Sequence, residues 1–357
     1  MMSLLQIIHY PFSEKYIEKI VRILKQYDPF VIVGMTNETK KYSISDYSYS
    51  KEMRASSFVG YLDRNIVGYL SYFLKKDDRA IEQQKMALSA VIFLNLFEAS
   101  YDFSHGTFEL YQGTKEMDAV NREICNWQFL NTILHSNNIR YPLDFILSGT
   151  NSLPNTSVDK QVALLRHDDL SLPLISWKSA YVHLLKMALL EKANKKNIEG
   201  LSEYLQWVIE EYKSDVSCIY FALHFFATSQ SSRRLYDSLV KIENTAWDLS
   251  FISYWFREAQ ANFKKNPNHF DILVTNDRLL RTIAKSISNG TISAEASKAE
   301  ENRFVDSLYS QNDRACVKNL LDEFTQRIPQ PSRPKRSLNN EDEKDRMISE
   351  FKKLLEL

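Results

Sequence analysis

Glycine is scarce in this chain, at 8 of 357 residues. Loops that cradle phosphates on bare backbone need glycine at fixed positions, and neither GxGxxG nor GxxxxGKS/T occurs. Dinucleotide and P-loop sites are therefore not expected. Cysteine is equally sparse: Cys125, Cys218 and Cys316 lie far apart with no CxxC pair, which excludes a disulfide framework and a cysteine zinc site and fits a reducing interior. The seven histidines show no HxxxH or HxxE grouping, so a histidine metal site is not expected either. Net charge is absent too, with 45 Lys+Arg against 45 Asp+Glu. That balance excludes a strongly basic nucleic-acid binder and leaves room only for a local basic groove. Long apolar runs are missing as well. Residues 216–232 are interrupted by His224, Thr228 and Gln230, and residues 86–97 are too short to span a bilayer, so both read as core helices. The opening MMSLLQIIHYPFSEK has no basic n-region and no small-residue cleavage site; a cytoplasmic protein is expected.

What is present suits a folded protein. Hydrophobic residues make up 44% and charged ones 25%, enough for a substantial core in one elaborated domain or two. Residues 13–27 carry apolar side chains at helical spacing behind Ser13, a possible N-cap. Residues 30–35 (FVIVGM) read as a strand, and the alternation over 42–49 suggests a second one. From Asp77 the pattern turns mostly helical. ISWKSAYVHLLKMALLE (175–191) aligns Trp177, Ala180, Tyr181, Leu184, Leu185 and Ala188 on one face, and helices follow over 201–212 and 216–227. IPQPSRPKR (328–336) reads as a linker, and residues 341–357 resume helical spacing at Met347, Phe351, Leu354 and Leu355.

Two stretches share one grammar. In SFVGYLDRN an uncharged strand runs into Asp63-Arg64-Asn65; in DILVTNDRLL another runs into Asn276-Asp277-Arg278 and a helix. An aspartate after a strand is most often a turn or a helix cap. In open parallel sheets, however, ligands sit beyond the carboxyl ends of strands, and two carboxylates gathered there repel unless a divalent cation neutralises them. A third acid, Asp248 in NTAWDLSFISYWFREA, lies on a helix whose Phe251, Ile252, Trp255 and Ala259 mark a core-facing stripe, where an acid wants a partner.

LDRN, then a helical acid, then WDL, then LVTNDRLL resembles the PIN-domain family of metal-dependent nucleases. The resemblance covers two separated stretches. It implies an α/β, PIN-like Rossmannoid three-layer fold with a central parallel sheet, elaborated by a mostly helical insertion. It makes Asp63 the first acid with Asn65 beside it, Asp248 the late helical acid, and Asp277 the last acid, flanked by Thr275 and Asn276. The early-helix acid is Glu109 or Glu98, with Glu109 favoured because its segment follows a break. The expected organisation is an N-terminal helix and short strands over 1–56 and a PIN-like core over 57–110 and 244–290. A helical insertion over 111–243, helices over 291–327, a linker over 328–340 and an amphipathic helix over 341–357 complete it.

The function implied is Mg²⁺- or Mn²⁺-dependent hydrolysis of phosphodiesters, with RNA favoured over DNA as partner, in a toxin or defence nuclease. Asp63, Asp248 and Asp277 would bind or orient the metal, and Glu109 would assist the attacking water. Arg64 has no role of its own in this scheme. A second class is a non-catalytic PIN-fold scaffold that binds a protein partner or inhibitor through the insertion or the C-terminal helix; no membrane partner is expected. An aspartyl-nucleophile phosphatase needs an acid at position 65, where Asn65 stands. Arg166-His167-Asp168-Asp169 reads as a solvated loop, and the basic stretches at 231–234 and 333–336 as exposed loops within reach of phosphates.

Overall fold

The computed structural model describes residues 13–33, 41–47, 56–153, 172–195, 197–227, 235, 238–289, 294–328 and 341–356. The loops at 166–169, 231–234 and 333–336 lie outside them. The chain forms two compact units, Met1–His167 with Glu258–Arg281, and Asp168–Arg257 with Thr282–Leu357. The fold is mixed α/β. Segment 111–167, expected in the insertion, belongs to the first unit, and residues 244–257, expected in the core, belong to the second.

The first unit opens with α1 (Glu14–Tyr27), which Ser13 precedes in extended backbone without a side-chain cap and which stops at left-handed Asp28. β1 (Phe30–Ile32) is shorter than expected, and its register is antiparallel to β4 (His269–Val274). β4 is parallel to β2 (Ser57–Leu62), which is parallel to β3 (Ser100–Asp102), in the order β1-β4-β2-β3. The sheet is therefore mixed, not purely parallel. β1 lies at the edge of the sheet, the place where an antiparallel strand commonly joins an otherwise parallel one. Helices α2 (Arg64–Leu74), α3 (Ile81–Asn95), α4 (Ser104–Thr114), α5 (Met117–Leu134) and α6 (Arg140–Ser148) complete the unit.

α3 explains the uncharged run at 86–97: every residue from Met86 to Asn95 is buried, so the helix is apolar all round because it is surrounded. Phe93 meets Tyr47 and Phe97 at ring-centroid distances of 5.2 and 5.4 Å, and Tyr47 also meets Phe58 at 5.3 Å. The second expected strand, 42–49, is a helical turn over 44–47 instead, with Ser48 and Tyr49 outside the described residues. Ser43 Oγ accepts from the Asp46 N–H at 3.3 Å, and the Tyr47 N–H donates to the Ser43 carbonyl at 3.2 Å. Side chain–backbone bonding of this kind competes with a strand ladder, and the turn buries Tyr42 and Tyr47 together.

The second unit is helical. It comprises α7 (Leu172–Lys192), α8 (Asn197–Glu210), α9 (Val216–Ala227), most of α10 (Leu239–Lys265), α11 (Arg278–Asn289) beyond Arg281, α12 (Ala294–Leu308), α13 (Gln311–Arg327) and α14 (Glu341–Leu355). Asp215 starts α9 by accepting from the N–H and Oγ of Ser217, at 3.0 and 2.7 Å. The amphipathic stripe of α14 is used within the unit: Met347, Phe351 and Leu355 are buried, Phe351 lies 6.3 Å from the Trp207 ring, and Lys178 pairs with Asp345 at 2.9 Å. Leu354 stays outside the stripe, 56% exposed. No described helix is long and apolar enough to cross a membrane.

Candidate active site

β2 and β4 run side by side with Leu62 opposite Val274, so the residues that follow them, Asp63 and Thr275, emerge together at the carboxyl edge of the sheet. The Asp63 N–H extends the ladder by donating to the Val274 carbonyl at 3.0 Å. Asp63 occupies the N-cap position of α2, yet its carboxylate makes no capping hydrogen bond there. Its Oδ2 accepts from Thr275 Oγ1 at 2.9 Å and, weakly, from Asn65 Nδ2 at 3.5 Å. The Arg64 N–H at the start of α2 also draws the carboxylate's pKa down, less than Thr275 does, so a helix-end contact accounts for only part of this aspartate's surroundings. A helix cap accounts in part for Asp277, whose Oδ1 caps α11 by accepting from the Leu280 N–H at 2.8 Å. The Thr275 hydroxyl ties the two together, because it also accepts from the Asp277 N–H at 3.0 Å. Asn276 is half-buried between them.

Glu109 joins from α4. Gly106 lets that helix approach closely, since a Cβ there would lie 3.3 Å from the Arg64 Cα. Glu109, three residues on, shares its face. Burial first, and then the like charge of Asp63, push the Glu109 carboxyl from 4.5 up to about 7. Asp63, 4% exposed, is pushed from 3.8 up to about 6, again by burial first, with Thr275 pulling down and Asp277 pushing up. Asp277 and Glu109 therefore each lie within electrostatic reach of Asp63. Next to Gly106, burial holds His105 neutral, with its pKa down to about 3.

Glu98, the alternative early acid, is exposed at the turn before β3, in left-handed backbone with φ 54°. β3 runs parallel to β2 from that turn, so Glu98 lies at the opposite edge of the sheet from Asp63. Asp248 is half-buried on the stretch of α10 that belongs to the second unit, while Asp63, Glu109 and Asp277 belong to the first.

Two residues escaped the sequence reading. Glu123 is buried on α5, and its Oε2 accepts from Arg64 Nη1 at 2.6 Å. Arg64 is accordingly not an idle spacer: its charge also draws the Glu109 carboxyl downward. The signal for Glu123 was present, an acid on the apolar stripe of Val120, Trp127 and Leu130, the same pattern that singled out Asp248.

Among the described residues, no three His, Cys, Asp or Glu side chains stand ready as a metal cage. The donor set nevertheless suits a hard cation. It is all oxygen, Asp63 is desolvated, and its repulsion with Asp277 and Glu109 is what a divalent ion relieves. Mg²⁺ keeps several waters and commonly takes only one or two protein carboxylates, so a closed three-ligand cage is not a requirement. No family model matches this chain, and no curated protein or solved structure is found to match it.

Proposed function

We propose that this protein is a divalent-metal-dependent phosphodiesterase, a nuclease with RNA favoured over DNA as its substrate, built on a PIN-like three-layer fold with its centre at the carboxyl edge of β2 and β4. One observation carries the reading. Asp63 is a buried carboxylate at the end of a central strand, held first by the Thr275 hydroxyl; beyond burial, the charge of Asp277 raises its pKa and its own charge raises that of Glu109. A purely structural aspartate in that position caps its helix or pairs with a cation.

In this scheme Asp63, with Asp277 and Glu109 beside it, would hold Mg²⁺ or Mn²⁺. When bound, such an ion would supply an activated water and charge stabilisation on the phosphate. Thr275 fixes the Asp63 carboxylate through its hydroxyl, and Asn65 and Asn276 orient neighbouring groups. Glu109, buried beside Asp63 on α4, would be the group placed to exchange a proton with the attacking water. The three free cysteines suit a cytoplasmic setting, and toxin or defence activity is the biological context proposed.

The scaffold reading is favoured by the lack of a preformed three-ligand group among the described residues. Against its C-terminal-helix form, the apolar stripe of α14 is packed inside the second unit; its other form uses the helical insertion. Cleavage of a labelled single-stranded RNA in Mg²⁺ or Mn²⁺ separates the two. Wild type should cut, and Asp63→Asn and Asp277→Asn should not. Cleavage by Asp63→Asn at the wild-type rate rejects the mechanism.

A further inference from the structure

A centre made only of carboxylates repels the polyanion it is meant to bind. Asp63, Glu109 and Asp277 carry up to three negative charges, and one divalent ion leaves the balance negative, so a cation supplied by the chain is needed. Arg64 is placed to supply it. It follows Asp63 directly as the first residue of α2, its backbone is backed by α4 at Gly106, and its charge reaches Glu109. The guanidinium offers five N–H donors. Among the described residues its one acceptor is Glu123 Oε2, at 2.6 Å, and the side chain is 25% exposed. Glu123, in contrast, is buried, with its second oxygen, Oε1, enclosed and without a partner. A carboxylate in that position is a costly way to build a core, and what it visibly does is hold one edge of the guanidinium.

We propose that Arg64 is the substrate-phosphate contact of this centre and that Glu123 is the residue that positions it. The inference rests on the nuclease reading above. A guanidinium fork anchored at one nitrogen keeps its remaining donors free for two phosphate oxygens, a geometry that arginine recognises in paired hydrogen bonds. The class of ligand is a phosphodiester backbone, bound without regard to base identity.

Full-length protein is titrated against a fluorescently labelled short oligouridylate across a KCl series, with Ca²⁺ replacing Mg²⁺ to prevent turnover. The main variant is the double substitution Arg64→Met with Glu123→Gln, which leaves no buried charge unpaired. It should bind several-fold more weakly, and the slope of log affinity against log salt should shrink by about 0.7, the share of one single-strand phosphate contact. Its Mn²⁺ affinity should be unchanged or higher, because a cation near the metal has gone. Glu123→Gln alone, whose amide oxygen still accepts from Nη1, should keep the wild-type slope, whereas Glu123→Ala should raise KM and leave kcat nearly unchanged. A double variant with the wild-type slope, or one whose only defect is weaker Mn²⁺ binding, overturns this inference while the nuclease reading stands. Wild-type protein that neither binds nor cuts the oligonucleotide overturns both.

Discussion

Replacing Asp63 by asparagine removes a charge while keeping the side chain's shape and an acceptor for the Thr275 hydroxyl. In the metal-free protein the carboxyl titrates at about 6 instead of 3.8, through burial first and the Asp277 charge after it. At about 1.4 kcal/mol per pKa unit, ionising Asp63 in the folded protein costs about 3 kcal/mol. The folded value lies above the unfolded one, so this group's favourable contribution is complete below pH 3.8 and is lost as pH rises through about 6. The asparagine variant has no such loss. In chelator at about pH 8 it should be more stable than wild type by up to about 3 kcal/mol, and that advantage should shrink by about 1.4 kcal/mol at about pH 5. Thermal unfolding reads this as a rise of roughly 2–4 °C per kcal/mol. Mn²⁺ should then reverse the order, stabilising wild type by about 2.7 kcal/mol at about a hundred times its Kd and the variant hardly at all. A variant less stable than wild type by the same margin at both pH values, with no metal effect, would refute the reasoning and make Asp63 an ordinary satisfied group.

Three further outcomes follow from the same geometry. Thr275→Val strips the hydroxyl that bridges Asp63 and the Asp277 N–H; chemical denaturation should show a loss of about 1–3 kcal/mol, together with a fall in cleavage rate. Gly106→Ala places a methyl 3.3 Å from the Arg64 backbone, so α4 must shift. The helix gain of up to about 1 kcal/mol offsets part of the cost of that small shift, and the displaced Glu109 should lower kcat more than stability. Because the Asp63 and Glu109 carboxyls sit at about 6 and about 7, protons compete with the metal. Calorimetric Mn²⁺ affinity should therefore strengthen as pH rises through that range and level off above it; a flat profile between about pH 5 and pH 8 counts against carboxylate ligation by these two residues.

The parts of the fold and site that were legible are those written locally. The uncharged run of β2 ending at Asp63 and the run of β4 ending at Thr275 announce strand ends followed by helices, and the register Leu62 to Val274 shows that the two motifs are neighbours. Glu109 was preferred over Glu98 because of the break before it, and the left-handed turn at Glu98 puts that residue at the far edge of the sheet. What sequence could not show was set by tertiary pairing. The direction of β1 depends on which edge it joins, and the aromatic alternation over 42–49 fits a strand equally well until Ser43 Oγ accepts from the Asp46 N–H. Arg64 looked idle because its partner, Glu123, comes from a helix far along the chain. Asp248 and Glu123 carried the same signal, an acid on an apolar helical stripe, and only Glu123 falls in the unit that holds Asp63.

The central claim is that the acids around Asp63 hold a divalent cation. Titrating metal-free protein with Mn²⁺, with the unbound ion followed by its electron paramagnetic resonance signal, tests this most directly. Wild type should deplete the free-ion signal saturably, and Asp63→Asn and Asp277→Asn should leave it nearly untouched. Wild-type protein that leaves the signal unchanged, or an Asp63→Asn variant that binds Mn²⁺ as tightly as wild type, would contradict the claim.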